Sequence, residues 1–186
     1  LGPRGFERNA VSLGFANFVD TVPPVIDHIA VLDAAGQVLP QAGGRVLVDR
    51  ADGPVQVVVE AWDQVDGNLP RRRLGLHALG YALLDASGRR VPDASPARPT
   101  VEFDRTPPQS EAVKLAYAEE SGITVHGSAR TRFQYVITNE VRDGDLRVGG
   151  WNPATLPAGD YVLRVLARDA SGNEAIANRD LPLRLQ

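Results

Sequence analysis

Cysteine and methionine are both missing from these 186 residues, and lysine occurs once, at Lys114. Without a thiol the chain forms no disulfide, no thiolate zinc site and no cysteine nucleophile, which excludes thiol redox chemistry. The lack of cysteine is compatible with an oxidising compartment without demanding one. A chain that has no methionine and opens on Leu1 reads as a processed or excised piece of a longer polypeptide. No apolar run approaches the roughly 20 residues that span a bilayer, so no transmembrane segment is expected. The opening LGPRGFERNA lacks the basic-then-apolar order of a signal peptide. A strong charge of either sign is also missing: 20 basic residues against 23 acidic ones leave a net charge of −3, which argues against nucleic acid as a partner. Arginine supplies all the basic residues except Lys114, a bias that suggests GC-rich coding more than a binding surface.

What remains is a foldable composition. Apolar types make up 43% and charged types 23%, which sets the chain apart from disordered and collagen-like sequences. At about 150 residues per domain, the length suits one elaborated domain or two small ones. The prolines of Asp20-Thr21-Val22-Pro23-Pro24 hold the chain extended and mark a boundary. Residues 1–21 are therefore expected to be an N-terminal tail or the end of a preceding domain, and 22–186 the folded unit.

Strand signals follow in succession. Val25 to Leu32 is β-branched and apolar, and Arg45 to Asp49 alternates. Val55 to Trp62 is apolar at nearly every position, which predicts a central strand covered on both faces. Leu74 to Leu84 alternates loosely and runs into Asp85-Ala86-Ser87-Gly88, a turn leading to a hairpin partner at Arg89 to Val91. The stretch 93–150 is less regular and reads as an insertion. It contains a short strand at Thr100 to Phe103 and one short helix, with Pro107 and Pro108 in its first turn, Glu111 near its N-terminus and Gly122 as C-cap. Further strands are expected at Ile123 to His126 and at Thr131 to Thr138, where Phe133, Tyr135 and Ile137 share a face.

The ending is the clearest part. Leu156 to Asp160 is a turn, Tyr161 to Arg168 is a strand with Tyr161, Leu163, Val165 and Ala167 on one face, Asp169 to Asn173 is a second turn, and Glu174 to Leu185 returns. A face of such side chains, each worth about 1.5 to 3 kcal/mol when buried, seeks a facing sheet. The expected class is all-β: an immunoglobulin-like or fibronectin III-like β-sandwich with an inserted segment carrying one short helix.

Over residues 13 to 180 the ordered motifs sharpen this reading. Gly14-Phe15, Asp20 to Ile26 (DTVPPVI), Phe103-Asp104, Tyr117, Tyr135 to Asn139 (YVITN) and the final G-D-Y and D-A-S-G-N turns stand in an order that resembles the non-catalytic β-region following the peptidase domain of secreted or periplasmic M23 (lysostaphin-like) metallopeptidases. That resemblance implies a cell-envelope location, periplasmic or extracellular. It also implies an accessory role that positions the catalytic domain or binds another envelope protein or peptidoglycan. The family's zinc ligands follow the patterns H-x-x-x-D and H-x-H. Here Leu32, Tyr81 and Arg130 stand four residues after His28, His77 and His126, so the ligand spacing is absent. No catalytic residue and no cofactor is therefore expected in this chain, and the resemblance implies that zinc belongs to a peptidase domain upstream of Leu1. The rival reading is a structural or adhesive immunoglobulin-like module of a secreted surface protein or filament.

Other candidate sites are few. Asp63, Asp66 and Asn68 in AWDQVDGN, with Asp169, Ser171 and Asn173 in ARDASGN, place oxygen ligands of the kind calcium takes at strand ends. The same residue types serve tight turns with no ion, and neither segment has the EF-hand pattern. Arg71-Arg72-Arg73 reads as a solvated loop. Among the aromatics, Trp62 and Tyr161 are expected in the core, while Trp151, between Gly150 and Asn152, is expected to be partly exposed and available for stacking on a sugar ring. No G-x-S-x-G elbow and no acid/base pair is present.

Overall fold

The structure is a computed structural model that describes residues 19–105, 109, 111–124, 128 and 131–186. It is mostly β-sheet, as an all-β fold requires. The described residues form eleven strands: β1 (Val25–Leu32), β2 (Gln41–Ala42), β3 (Arg45–Val48), β4 (Gln56–Trp62), β5 (Ala78–Leu84), β6 (Val101–Glu102), β7 (Gln134–Val136), β8 (Glu140–Arg142), β9 (Asp145–Arg147), β10 (Gly159–Arg168) and β11 (Asp180–Leu185). They form a three-stranded sheet in the order β1-β4-β7 and an eight-stranded sheet in the order β2-β3-β11-β10-β5-β6-β8-β9. Neither sheet closes on itself. Pairing is antiparallel except for β3 with β11 and β6 with β8.

The two sheets feed one hydrophobic core. Ile26, Ile29, Val31, Val57, Val59 and Tyr135 come from the small sheet, and Val46, Val48, Leu79, Leu83, Leu163, Val165, Leu183 and Leu185 from the large one. In β1 the inward residues are spaced irregularly, and a register shift between Ile26 and His28 restores them to one face, as a bulge does. The segment 93–150 contributes to both sheets: β7 edges the small one, while β6, β8 and β9 extend the large one.

Several expectations need correction. The strand over 55–62 is central in its sheet but is only partly covered on its second face, where Gln56, Val58 and Trp62 are half-buried and Glu60 is buried and paired with Arg132. The doubly covered strand is β5, buried along its whole length. Its outer face is shielded at Gly80, where a Cβ would lie 3.1 Å from the Cα of Pro99. The helix shrinks to α1 (Ala112–Ala116), because Tyr117 turns extended and pairs with Tyr135 as an isolated bridge. Gly122 instead closes a 3-10 turn over Glu119–Ser121, at φ 71°. Pro107 and Pro108 lie outside the described residues. In the strand expected at Ile123 to His126, Ile123 and Thr124 form a turn and the other two residues lie outside the described set.

Three hairpin turns are built alike. In Asp33-Ala-Ala-Gly-Gln, Asp85-Ala-Ser-Gly-Arg and Asp169-Ala-Ser-Gly-Asn, one carboxylate oxygen accepts from the backbone N–H groups two and four residues on, at 2.8–3.0 Å. The glycine takes positive φ in each, at 77°, 79° and 94°. Side-chain-to-backbone bonding and a permissive glycine are what such a turn requires.

Candidate cation site

Two strand ends, those of β4 and β10, meet the segment that leads into β1. Asp63 follows the last residue of β4, where it exchanges two backbone hydrogen bonds of 2.9 Å with Leu74. Asp169 follows the last residue of β10 and opens the last of the three turns. Asp20 lies five residues before β1. The three carboxylates bring ligand oxygens within 4.8 Å of one another. All three residues are buried, at 8%, 5% and 1% exposure for Asp20, Asp63 and Asp169.

Turn chemistry accounts for Asp169 but not for the cluster. Asp33 and Asp85 make the same turn hydrogen bonds while half-exposed, and no second carboxylate is needed there. Asp63 Oδ1 is buried and has no hydrogen-bond partner. Burial pushes the Asp63 carboxyl up from 3.8 to about 6. A hydrogen bond from the Gln64 N–H opposes the rise, and the charges of Asp169 and Asp20 add to it. Asp20 is also raised, first by burial and then by the neighbouring Asp169 and Asp66 charges, against the Val22 N–H bond that favours its ionised form. Among the described residues, no arginine or lysine forms an ion pair with any of the three.

The remaining sequence candidates support this cluster or stand apart from it. Asp66 Oδ2 accepts from the backbone N–H and the hydroxyl of Thr21, at 2.7 and 3.0 Å, and so ties down the lead-in segment. Asn173 turns its amide nitrogen inward and donates to Asp169 Oδ2 at 2.7 Å and to the Asp20 carbonyl at 2.9 Å. Asn68 accepts from the N–H of Leu69 in its own turn. A ligand role for Asp20 is not legible in the sequence, because it stands among boundary residues far along the chain from both Asp/Asn turns. The only sequence signal was its place in the D-T-V-P-P run.

The aromatic expectations change more. Trp151 is 4% exposed, so the surface platform expected of it is corrected: it offers no open face for a sugar. It exchanges hydrogen bonds of 2.9 and 3.0 Å with Val55, and the close approach needs glycine beside it. A Cβ on Gly149 would sit 2.1 Å from the Thr138 carbonyl oxygen, and one on Gly150 3.0 Å from Pro54 Cβ. Trp62 and Tyr161, expected in the core, are half-buried. Trp62 donates through Nε1 to Asp27 at 2.8 Å, and the Arg73 guanidinium lies 4.4 Å from its ring centre. Arg71, Arg72 and Arg73 are all exposed, and Arg73 rests as a cation on the aromatic face of Trp62. His28 is exposed on β1, His77 faces Glu102 at 3.8 Å, and His126 lies outside the described residues.

Comparison with known protein families, curated proteins and solved structures finds no match to this chain. Among the described residues no helix is long and apolar enough to cross a membrane.

Proposed function

We propose that this chain is a non-catalytic, immunoglobulin-like accessory module of a cell-envelope metallopeptidase of the M23 type, one that holds an adjoining domain in place and contacts an envelope protein or cell-wall polymer. The observation that carries the reading is the anchoring of the segment ahead of β1. Its Thr21 is held by Asp66, and its Asp20 carbonyl is held by Asn173, 153 residues further along the chain. A flexible tether of Gly, Ser or polar residues would leave a preceding domain free to swing. A lead-in gripped by the closing hairpin transmits orientation instead. The ordered motifs from Gly14-Phe15 to the D-A-S-G-N turn support the family assignment, and two sheets sharing one core support the sandwich.

The test is enzymatic and genetic. Incubated with zinc and purified peptidoglycan, the chain is expected to release no soluble fragments, and measurable release would overturn the accessory role. In the complete polypeptide, H-x-x-x-D and H-x-H are expected ahead of Leu1. There Asp66→Ala is expected to lower peptidase turnover several-fold with zinc content unchanged. Tandem copies of the D-A-S-G-N turn in place of a peptidase would show an adhesive repeat protein instead.

A further inference from the structure

We propose that Asp20, Asp63 and Asp169 form a binding site for one divalent cation of the calcium class, which staples the lead-in segment to the ends of β4 and β10. This does not depend on the accessory reading, since it rests only on the geometry of three side chains. Two observations carry it. The first is convergence: the oxygens of one calcium shell, each about 2.3–2.6 Å from the ion, stand at most about 4.6–5.2 Å apart, and the three carboxylates fall within that span of one another. The second is Asp63 Oδ1, a carboxylate oxygen in a residue only 5% exposed that accepts no hydrogen bond from the protein. Buried polar atoms are almost always partnered, and an orphan within a group of acids is placed as a ligand would be.

The donor set selects the ion. Every ligand is a carboxylate oxygen, with no imidazole or thiolate, which favours calcium or magnesium over zinc and copper. Calcium tolerates irregular shells of six to eight oxygens, whereas magnesium demands near-ideal octahedral geometry and keeps its waters, an awkward fit for buried ligands drawn from three separated segments. The ligands come from both sheets and from the chain ahead of β1, because β4 belongs to the small sheet and β10 to the large one. One ion would therefore hold together three parts of the molecule that share no continuous strand.

The experiment uses the chelator-treated 186-residue chain and calcium chloride alone, followed by calorimetric titration and thermal melting at neutral pH. Saturable binding of one ion per chain is expected, with a rise in melting temperature, as calcium is raised to ~10 mM, above the weak affinities of about 1 mM seen in extracellular modules. Magnesium is expected to give a smaller rise. Asp63→Asn, which keeps the shape and removes the charge, is expected to weaken binding at least tenfold and to abolish the rise. Absence of binding by the unaltered chain would overturn the site without reference to any variant. So would equal stabilisation by magnesium, or undiminished calcium binding by both Asp63→Asn and Asp20→Asn.

Discussion

Tyr135 illustrates how much a single hydroxyl can hold in this molecule. Its ring is fully buried, flanked by Tyr117 at 5.0 Å and Phe133 at 6.4 Å between ring centres, and its oxygen accepts from the Leu76 backbone N–H at 2.8 Å. Burial holds the phenol well above its ordinary pKa, so it stays neutral. Tyr135→Phe keeps the packing but strands the Leu76 N–H. The expected loss is about 1–3 kcal/mol in urea unfolding. Asp63 is the counterpart with a charge. In the presence of a chelator its carboxyl, raised to about 6, holds a proton more tightly in the folded chain than in the unfolded one. The stability this contributes is present below the unfolded value near 3.8 and is lost as pH rises through about 6. The melting temperature of the metal-free chain should therefore fall over that interval relative to Asp63→Asn, whose difference curve lacks the step.

At the scale of elements, the loop carrying Trp151 shows close backbone approach deciding where a side chain goes. Gly149 lies so near the Thr138 carbonyl that any side chain forces the two segments apart. Gly149→Ala is thus expected to undock the loop from Val55, to expose Trp151 and to shift its fluorescence to the red. The measurement is made in a Trp62→Phe background so that a single indole reports. An unchanged emission maximum would show that the loop docks without the glycine. The short α1 follows related logic. A helix of five residues with no side-chain cap at Glu111 has little stability of its own, and its buried Ala112 and Ala116 make it a product of packing.

At the scale of the whole molecule, the large and small sheets are joined by one core and by a chain that passes between them at β1–β2, β3–β4, β4–β5, β6–β7 and β7–β8. Because Leu79, Leu163 and Leu183 face Val31, Val57 and Tyr135 within a single cluster, the sheets should unfold together. Far-ultraviolet circular dichroism and tryptophan fluorescence are expected to give coincident urea transitions, and two separated midpoints would show that the sheets are independent units. The lead-in segment is tied to the same body, because Thr21 and Asp20 bond Asp66 and Asn173, in the turns that follow β4 and β10.

Local pattern alone carried the strands and turns whose residues alternate without interruption. Arg45 to Val48 and the inward Leu163, Val165 and Ala167 of β10 were legible because side chains alternate sides along a strand, and Val25 to Leu32 because it is β-branched and apolar, though its bulge was not. The Asp85 and Asp169 turns were legible because Asp and Gly satisfy a backbone geometry within five residues. Pairing between distant segments was not legible. That β5 is the fully buried strand, that Tyr117 leaves its helix for Tyr135, and that β3 runs parallel to β11 depend on which faces the folded chain covers. Asp20 meets Asp63 and Asp169 for the same reason. A carboxylate's identity is written in the chain, but its neighbours, and hence its charge state and its reach for a cation, arise only when two sheets and the strand leading into them close around it.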